Sequence, residues 1–171
     1  MVIQNGRTLG STEGVDPMKI VSIDNLDLVD FAADAARILL KAHPEVLFTS
    51  GRRTVDEQAS AMAANVIKRR KWIEQTYVKT AERDALQSWI DGHPEARTPA
   101  AISAGLESIM SGWSDDQKTR VSLHFCGHAF DVQPVANGDA IKKTIQSLPN
   151  LRKFLESEGG LIRWHADFAK T

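Results

Sequence analysis

Apolar residues recur at three- and four-residue spacing from about Asn25 to Ala42: Leu28, Phe31, Ala32, Ala35, Ile38 and Leu39. That spacing lines one face of a helix. Pro44 ends it, because a residue before proline is steered out of helical geometry. "VLFTS" (46–50) is a short apolar run of the kind a buried strand carries. Thr54 and Glu57 have capping-box spacing, in which each side chain satisfies the other's backbone donor. They predict a helix to about Arg70. Helical character resumes from Trp72 to Asp91, with Gly92 as a C-terminal stop. Thr98 as cap, Pro99 at the first helical position and Gly112 at the end predict another helix. Ser114 with Gln117 predicts one more short cap.

After Val121 the texture changes. "HAFDVQP" reads as a strand ended by Pro134. "GDAIKKTIQSLPNLRKFLESEGG" reads as one or two helices, broken near Pro149 and closed by Gly159. "LIRWHADF" (161–168) alternates as a strand does. Residues 1–18 show no periodicity and read as an extended arm. The expectation is one α+β domain over residues 19–171, a small antiparallel sheet packed with helices. Residues 68–118 form a helical insertion between the early strand and the late ones.

Bulk properties narrow the partners. The chain has 171 residues and a net charge of −1, so no global field draws it to nucleic acid or an anionic membrane. "KRRK" (68–71) reads as a solvated helix end. A single cysteine excludes an internal disulfide framework. The N-terminus lacks the basic start and apolar core of a secretory signal, and no run approaches the ~20 apolar residues of a membrane span. The expectation is a monomer made in the cytoplasm without a signal peptide and without stable membrane association.

"SLHFCGHAFD" (122–131) holds two of the five histidines, the only cysteine and one carboxylate. A turn at Gly127 can bring His124 and Asp131 to one point, and the late strand offers His165. Two histidines and an aspartate form an open zinc set, three protein ligands with one position left for water. The alternative is an ordinary hydrogen-bonded His–Asp pair. Cys126 reads as a small buried hydrophobe or, less simply, a ligand or nucleophile. His128 points away from Asp131 in a regular strand.

Ser122, His124, Gly127, Ala129 and Asp131 stand as S-x-H-x-x-G-x-A-x-D. This resembles the signature of the zinc D-alanyl-D-alanine carboxypeptidases and L-alanyl-D-glutamate endopeptidases, which cut peptidoglycan stem peptides and often serve as phage endolysins. "TSGRRT" (49–54) looks like that family's S-G-x-R-[ST] element, and "WHADF" (164–168) is similar to the late H-x-D strand of one branch. The resemblance implies that His124, Asp131 and His165 bind one zinc ion. It implies that Arg53 lies over the metal's open side, where a planar fork suits a carboxylate or an oxyanion. Many members carry an acid three residues before the last histidine, as general base. Here that position is Ile162, and Asp167 is either a replacement base or the residue that orients His165. Ser122 reads as holding the His124 loop, and Gln58 and Trp164 as candidate substrate contacts beside solvated and core alternatives.

The implied activity is hydrolysis of peptide bonds in peptidoglycan, by a phage endolysin or a delivered wall-degrading toxin acting after release. The absence of a visible wall-binding module favours a Gram-negative target. A non-enzymatic zinc-fold binding module or phage structural protein is the alternative, since fold does not guarantee chemistry.

Overall fold

The small-residue face of α1 (Asp30–Ala42) sets how the sheet half is built. Ala32, Ala35 and Ala36 are fully buried beside Leu39, and short side chains let a helix lie close to a sheet. The computed structural model describes residues 21–170; the arm expected at residues 1–18 falls outside them. Among the described residues, seven helices accompany a four-stranded antiparallel sheet in an α+β arrangement. No described helix is long and apolar enough to cross a membrane.

The sheet contains β1 (Phe48–Ser50), β2 (Ala129–Val132), β3 (Leu151–Glu158) and β4 (Leu161–Phe168), ordered β1-β2-β4-β3. Helices α1 and α7 (Asp139–Gln146) close one face. Phe48, Phe130, Trp164 and Phe168 pack there with Leu39 and Ile145. Each large side chain buried in this way contributes about 1.5–3 kcal/mol by leaving water.

A second core lies in the helical half. It joins α2 (Val55–Val66), α3 (Trp72–Thr76), α4 (Ala81–Gly92), α5 (Pro99–Met110) and α6 (Asp115–Val121). Met62, Val66, Ile73, Leu86, Ile90 and Leu106 are buried in it. The expected caps are present: Thr54 and Glu57 close a capping box, Ser114 and Gln117 close another, and Thr98 caps α5 with Pro99 following. The helix expected from Trp72 to Asp91 is interrupted at Tyr77–Thr80, where Thr80 caps α4 afresh.

The second helix expected before Gly159 is instead strand β3. Leu151, Phe154 and Leu155 lose the period of two because the ladder with β4 shifts register between Leu151 and Lys153 and again between Leu155 and Ser157. Phe154 packs on the α1 side and Leu155 lines the cleft on the other. Gly159 and Gly160 then turn the chain directly into β4, with φ of 53° and 75°. Two consecutive positive-φ residues are what a tight hairpin turn needs.

Candidate metal centre

Three ligand-bearing side chains converge from three elements of the fold. His124 sits on a short 3-10 turn (Leu123–Cys126) that follows α6. Ser122 Oγ accepts a hydrogen bond from the His124 backbone at 3.3 Å and so holds this turn at its start. Gly127 ends it in the left-handed region, φ 73°, and a Cβ there would come within 2.8 Å of the Asp27 carbonyl. The chain reverses into β2, where Asp131 pairs directly with His165 of β4. Residues directly opposite in an antiparallel pair share a face. The donor atoms of His124, Asp131 and His165 all lie within 4.8 Å of one another, and this group could hold a metal ion.

The hydrogen bonding selects the ring nitrogens. His124 Nδ1 donates to the Gly51 carbonyl at 2.6 Å, leaving Nε2 as the lone-pair nitrogen that faces the site. Nδ1 of His165 lies 2.8 Å from Asp131 Oδ1 and 3.2 Å from His124 Nε2. Burial and the nearby Arg53 charge lower His124 to about 4, so it is neutral and ready to ligate. Burial works against a charged His165, but the carboxylates of Asp131 and Asp167 outweigh it and raise the ring to about 10. Burial would likewise raise Asp131, yet the two histidines and Arg53 hold it well below the usual carboxylate range.

Arg53 reaches the site from the loop between β1 and α2. Its Nη2 donates to Asp131 Oδ2 at 2.6 Å, and its backbone N–H donates to the His124 carbonyl at 3.1 Å. Gln58 is not solvated: it is 1% exposed and bridges Arg53 to Tyr77. Asp167 lies 3.8 Å from His165 Nε2 and is clamped by Arg152 through two hydrogen bonds of 2.9 Å. Burial opposes it, but His165 and Arg152 lower the Asp167 carboxyl, which keeps it ionised. Trp164 has its ring in the sheet core beside Gly138, and the residue also contributes to the wall of the cleft. His128 stacks edge-on against Phe31 at 5.0 Å, outside the ligand group. Cys126 is half-buried and donates to the Leu123 carbonyl at 3.3 Å.

The ligands open on a cleft of about 810 Å³ between the two halves. Two residues that the sequence reading passed over line it. Glu158 ends β3, and the ladder shifts register between Leu155 and Ser157. Leu155 and Glu158, three apart and of opposite parity in a regular strand, therefore both line the cleft; re-aiming a side chain is what such irregularities do. The Glu158 carboxyl makes no hydrogen bond or ion pair within 4.0 Å among the described residues. Burial pushes it above its ordinary value, with the Asp131 charge adding to the effect. Ile162, by contrast, is 68% exposed and does not line the cleft. The second residue is Tyr77, the chain's only tyrosine, which the helical insertion brings in. A Gly-Gly hairpin signal at 159–160 could have placed Glu158 beside the late strand. Nothing local marks Tyr77.

No protein-family model, curated protein or solved structure matches this chain.

Proposed function

We propose that this protein is a zinc-dependent peptidase acting on the stem peptides or cross-bridges of bacterial peptidoglycan. One observation carries the reading: a His–Asp–His ligand set opens on the same cleft as an unpaired carboxyl group, Glu158, and a guanidinium, Arg53. The motifs around Arg53, His124 and His165 supply the peptidoglycan part of the proposal. Two imidazoles and a carboxylate suit zinc with a position left open. Zinc held by His124, Asp131 and His165 would supply Lewis-acid polarisation of a carbonyl and a more acidic water.

The remaining chemistry belongs to the chain. Glu158 has a raised pKa and no competing partner, so it is the group that takes a proton from water and returns it to the departing amine. Asp167 is a poor base, because Arg152 stabilises its ionised form; it orients His165 instead. Arg53 fixes Asp131 and presents its charge to the cleft, where it lowers the cost of an anionic oxygen.

The test is a digest of purified peptidoglycan by the zinc-loaded protein, with products identified by mass. Glu158→Gln keeps shape and zinc and loses about 10²–10⁴ in turnover. Wild-type turnover falls as pH drops through a value above the ordinary carboxylate range, and that limb vanishes in Glu158→Gln. Iron instead of zinc by elemental analysis overturns the zinc assignment, and zinc-loaded protein that cleaves no wall type overturns the proposal in favour of a recognition role.

A further inference from the structure

Asp131 in its ionised form only accepts hydrogen bonds, and the guanidinium of Arg53 only donates them. Arg53 Nη2 donates to Asp131 and Nη1 donates to Gln58 Oε1 at 3.2 Å. The amide oxygen of Gln58 is thereby committed to Arg53. Its NH₂ faces the Tyr77 hydroxyl at 3.1 Å. An amide NH₂ can only donate, so the phenol oxygen is the acceptor. The phenol's own hydrogen must then leave in another direction, and no described residue accepts it. The polarity of four groups is set in series, starting from a candidate metal ligand.

Tyr77, at the end of this series, lines the same cleft as His124, Asp131 and His165. Its ring is held edge-on against Trp72, with centroids 5.6 Å apart and planes at 89°. Burial, reinforced by the Glu158 charge, pushes the phenol pKa up, so it keeps its proton through neutral pH. A donor fixed in advance stabilises charge that appears during a reaction without having to reorganise.

We propose that Tyr77, carried by the helical insertion, is a directed hydrogen-bond donor of the cleft that binds the carbonyl oxygen of a peptide substrate as negative charge develops on it. The proposal rests on the peptidase reading above. It makes the insertion part of the reaction site, and it makes Gln58 the positioning residue that turns the phenol's hydrogen towards the substrate.

The experiment reverses the relay without removing the hydroxyl. In Gln58→Glu, the carboxylate still accepts from Arg53 but now also accepts from Tyr77, drawing the phenol's hydrogen out of the cleft. Tyr77→Phe removes that hydrogen outright. Each variant, zinc-loaded and full length, is expected to lose about 10² in kcat with KM and zinc content unchanged. The double variant is expected to lose no more than Tyr77→Phe alone, because both changes remove one interaction. A second readout needs no turnover. Calorimetric affinity for a phosphinate dipeptide, a tetrahedral anion, is expected to fall by a similar factor in both single variants. Wild-type kcat and phosphinate affinity in Tyr77→Phe overturn the proposal. So does a Gln58→Glu effect that is as large in the Tyr77→Phe background as alone. If the wild type cleaves no peptidoglycan but binds the phosphinate through Tyr77, the peptidase reading falls and the donor stands. If it cleaves and Tyr77→Phe is unimpaired in both readouts, the donor falls and the peptidase reading stands.

Discussion

The sheet half contributes every candidate ligand, on β2, β4 and the turn before β2, while the helical half contributes Gln58 and Tyr77 and braces Glu158. The two differ in how their polar groups are held. In the sheet half, Asp131 and His165 are fixed by direct strand pairing. In the helical half the bracing is made by side chains reaching across the cleft. Trp72 Nε1 donates to the Glu158 carbonyl at 3.3 Å, Arg69 donates to the Gly159 carbonyl at 3.1 Å, and Asn65 accepts from Arg163 at 2.9 Å. A metal site needs positions good to fractions of an ångström, and a strand ladder supplies them. A substrate cleft needs reach, and a packed set of helices supplies that. The division predicts that damage to one half leaves the signature of the other.

Removing a ligand is the largest perturbation. His165→Ala is expected to abolish stoichiometric metal by elemental analysis. Metal bound only to the folded state stabilises it by about 4 kcal/mol at a thousandfold excess over Kd. The variant should therefore melt like chelator-treated wild type and gain nothing from added zinc. Metal retained in His165→Ala would break the assignment of ligands to the sheet half.

Trp72→Ala strikes the other half. Truncating a buried tryptophan costs about 3–5 kcal/mol, and here it also removes the hydrogen bond at the end of β3. The expected result is a lower unfolding midpoint in denaturant, with zinc affinity close to wild type in the folded protein. A parallel loss of zinc affinity would show that the halves are one unit in energetic terms.

How much of this could be read from the chain alone follows the same line. His124 and Asp131 are seven residues apart across one turn, and the backbone at Gly127 is enough to bring them together. His165 stands in a strand whose alternation is plain. The capped starts of α2, α5 and α6 were equally legible, because a cap is a three-residue event. Strand β3 was not, because two register shifts against β4 broke the period of two in its apolar pattern. Glu158 and Tyr77 were out of reach for another reason. Each is placed by contacts with residues far along the chain, and neither carries a local sign of what it faces.

Asp167→Asn tests how the strand half tunes its own ligand. The change keeps shape and removes the charge that Arg152 and His165 share. If Asp167 orients His165, zinc affinity should fall by roughly 10–100-fold, with turnover recovered at excess zinc. The proton balance shifts too. The Asp131 and Asp167 carboxylates raise His165 to about 10, so metal binding there is expected to displace its proton, release about one proton and weaken as pH falls. Losing the Asp167 charge lowers the His165 pKa and reduces that release, which calorimetry in buffers of different ionisation enthalpy would read. A collapse of turnover with zinc affinity unchanged would instead make Asp167 the base and displace Glu158.

Cys126 is the smallest test, and it bears on where the site ends. It lies two residues from His124, which makes it a natural suspect as ligand or nucleophile. Its Sγ donates to a backbone carbonyl within its own turn, and it lines a separate cavity of about 350 Å³ with Arg52, Thr54 and Phe125. A thiol that served the metal would have to leave that bond and cross to the other side of the turn. Cys126→Ser preserves a donor to Leu123 and changes little volume. It is expected to retain zinc and turnover, with stability within about 1 kcal/mol of wild type, as for a substitution that opens no cavity and orphans no buried group. Loss of turnover with zinc and fold intact would extend the reaction site through the turn and into the second cavity, and the cleft between the two halves would no longer bound the chemistry.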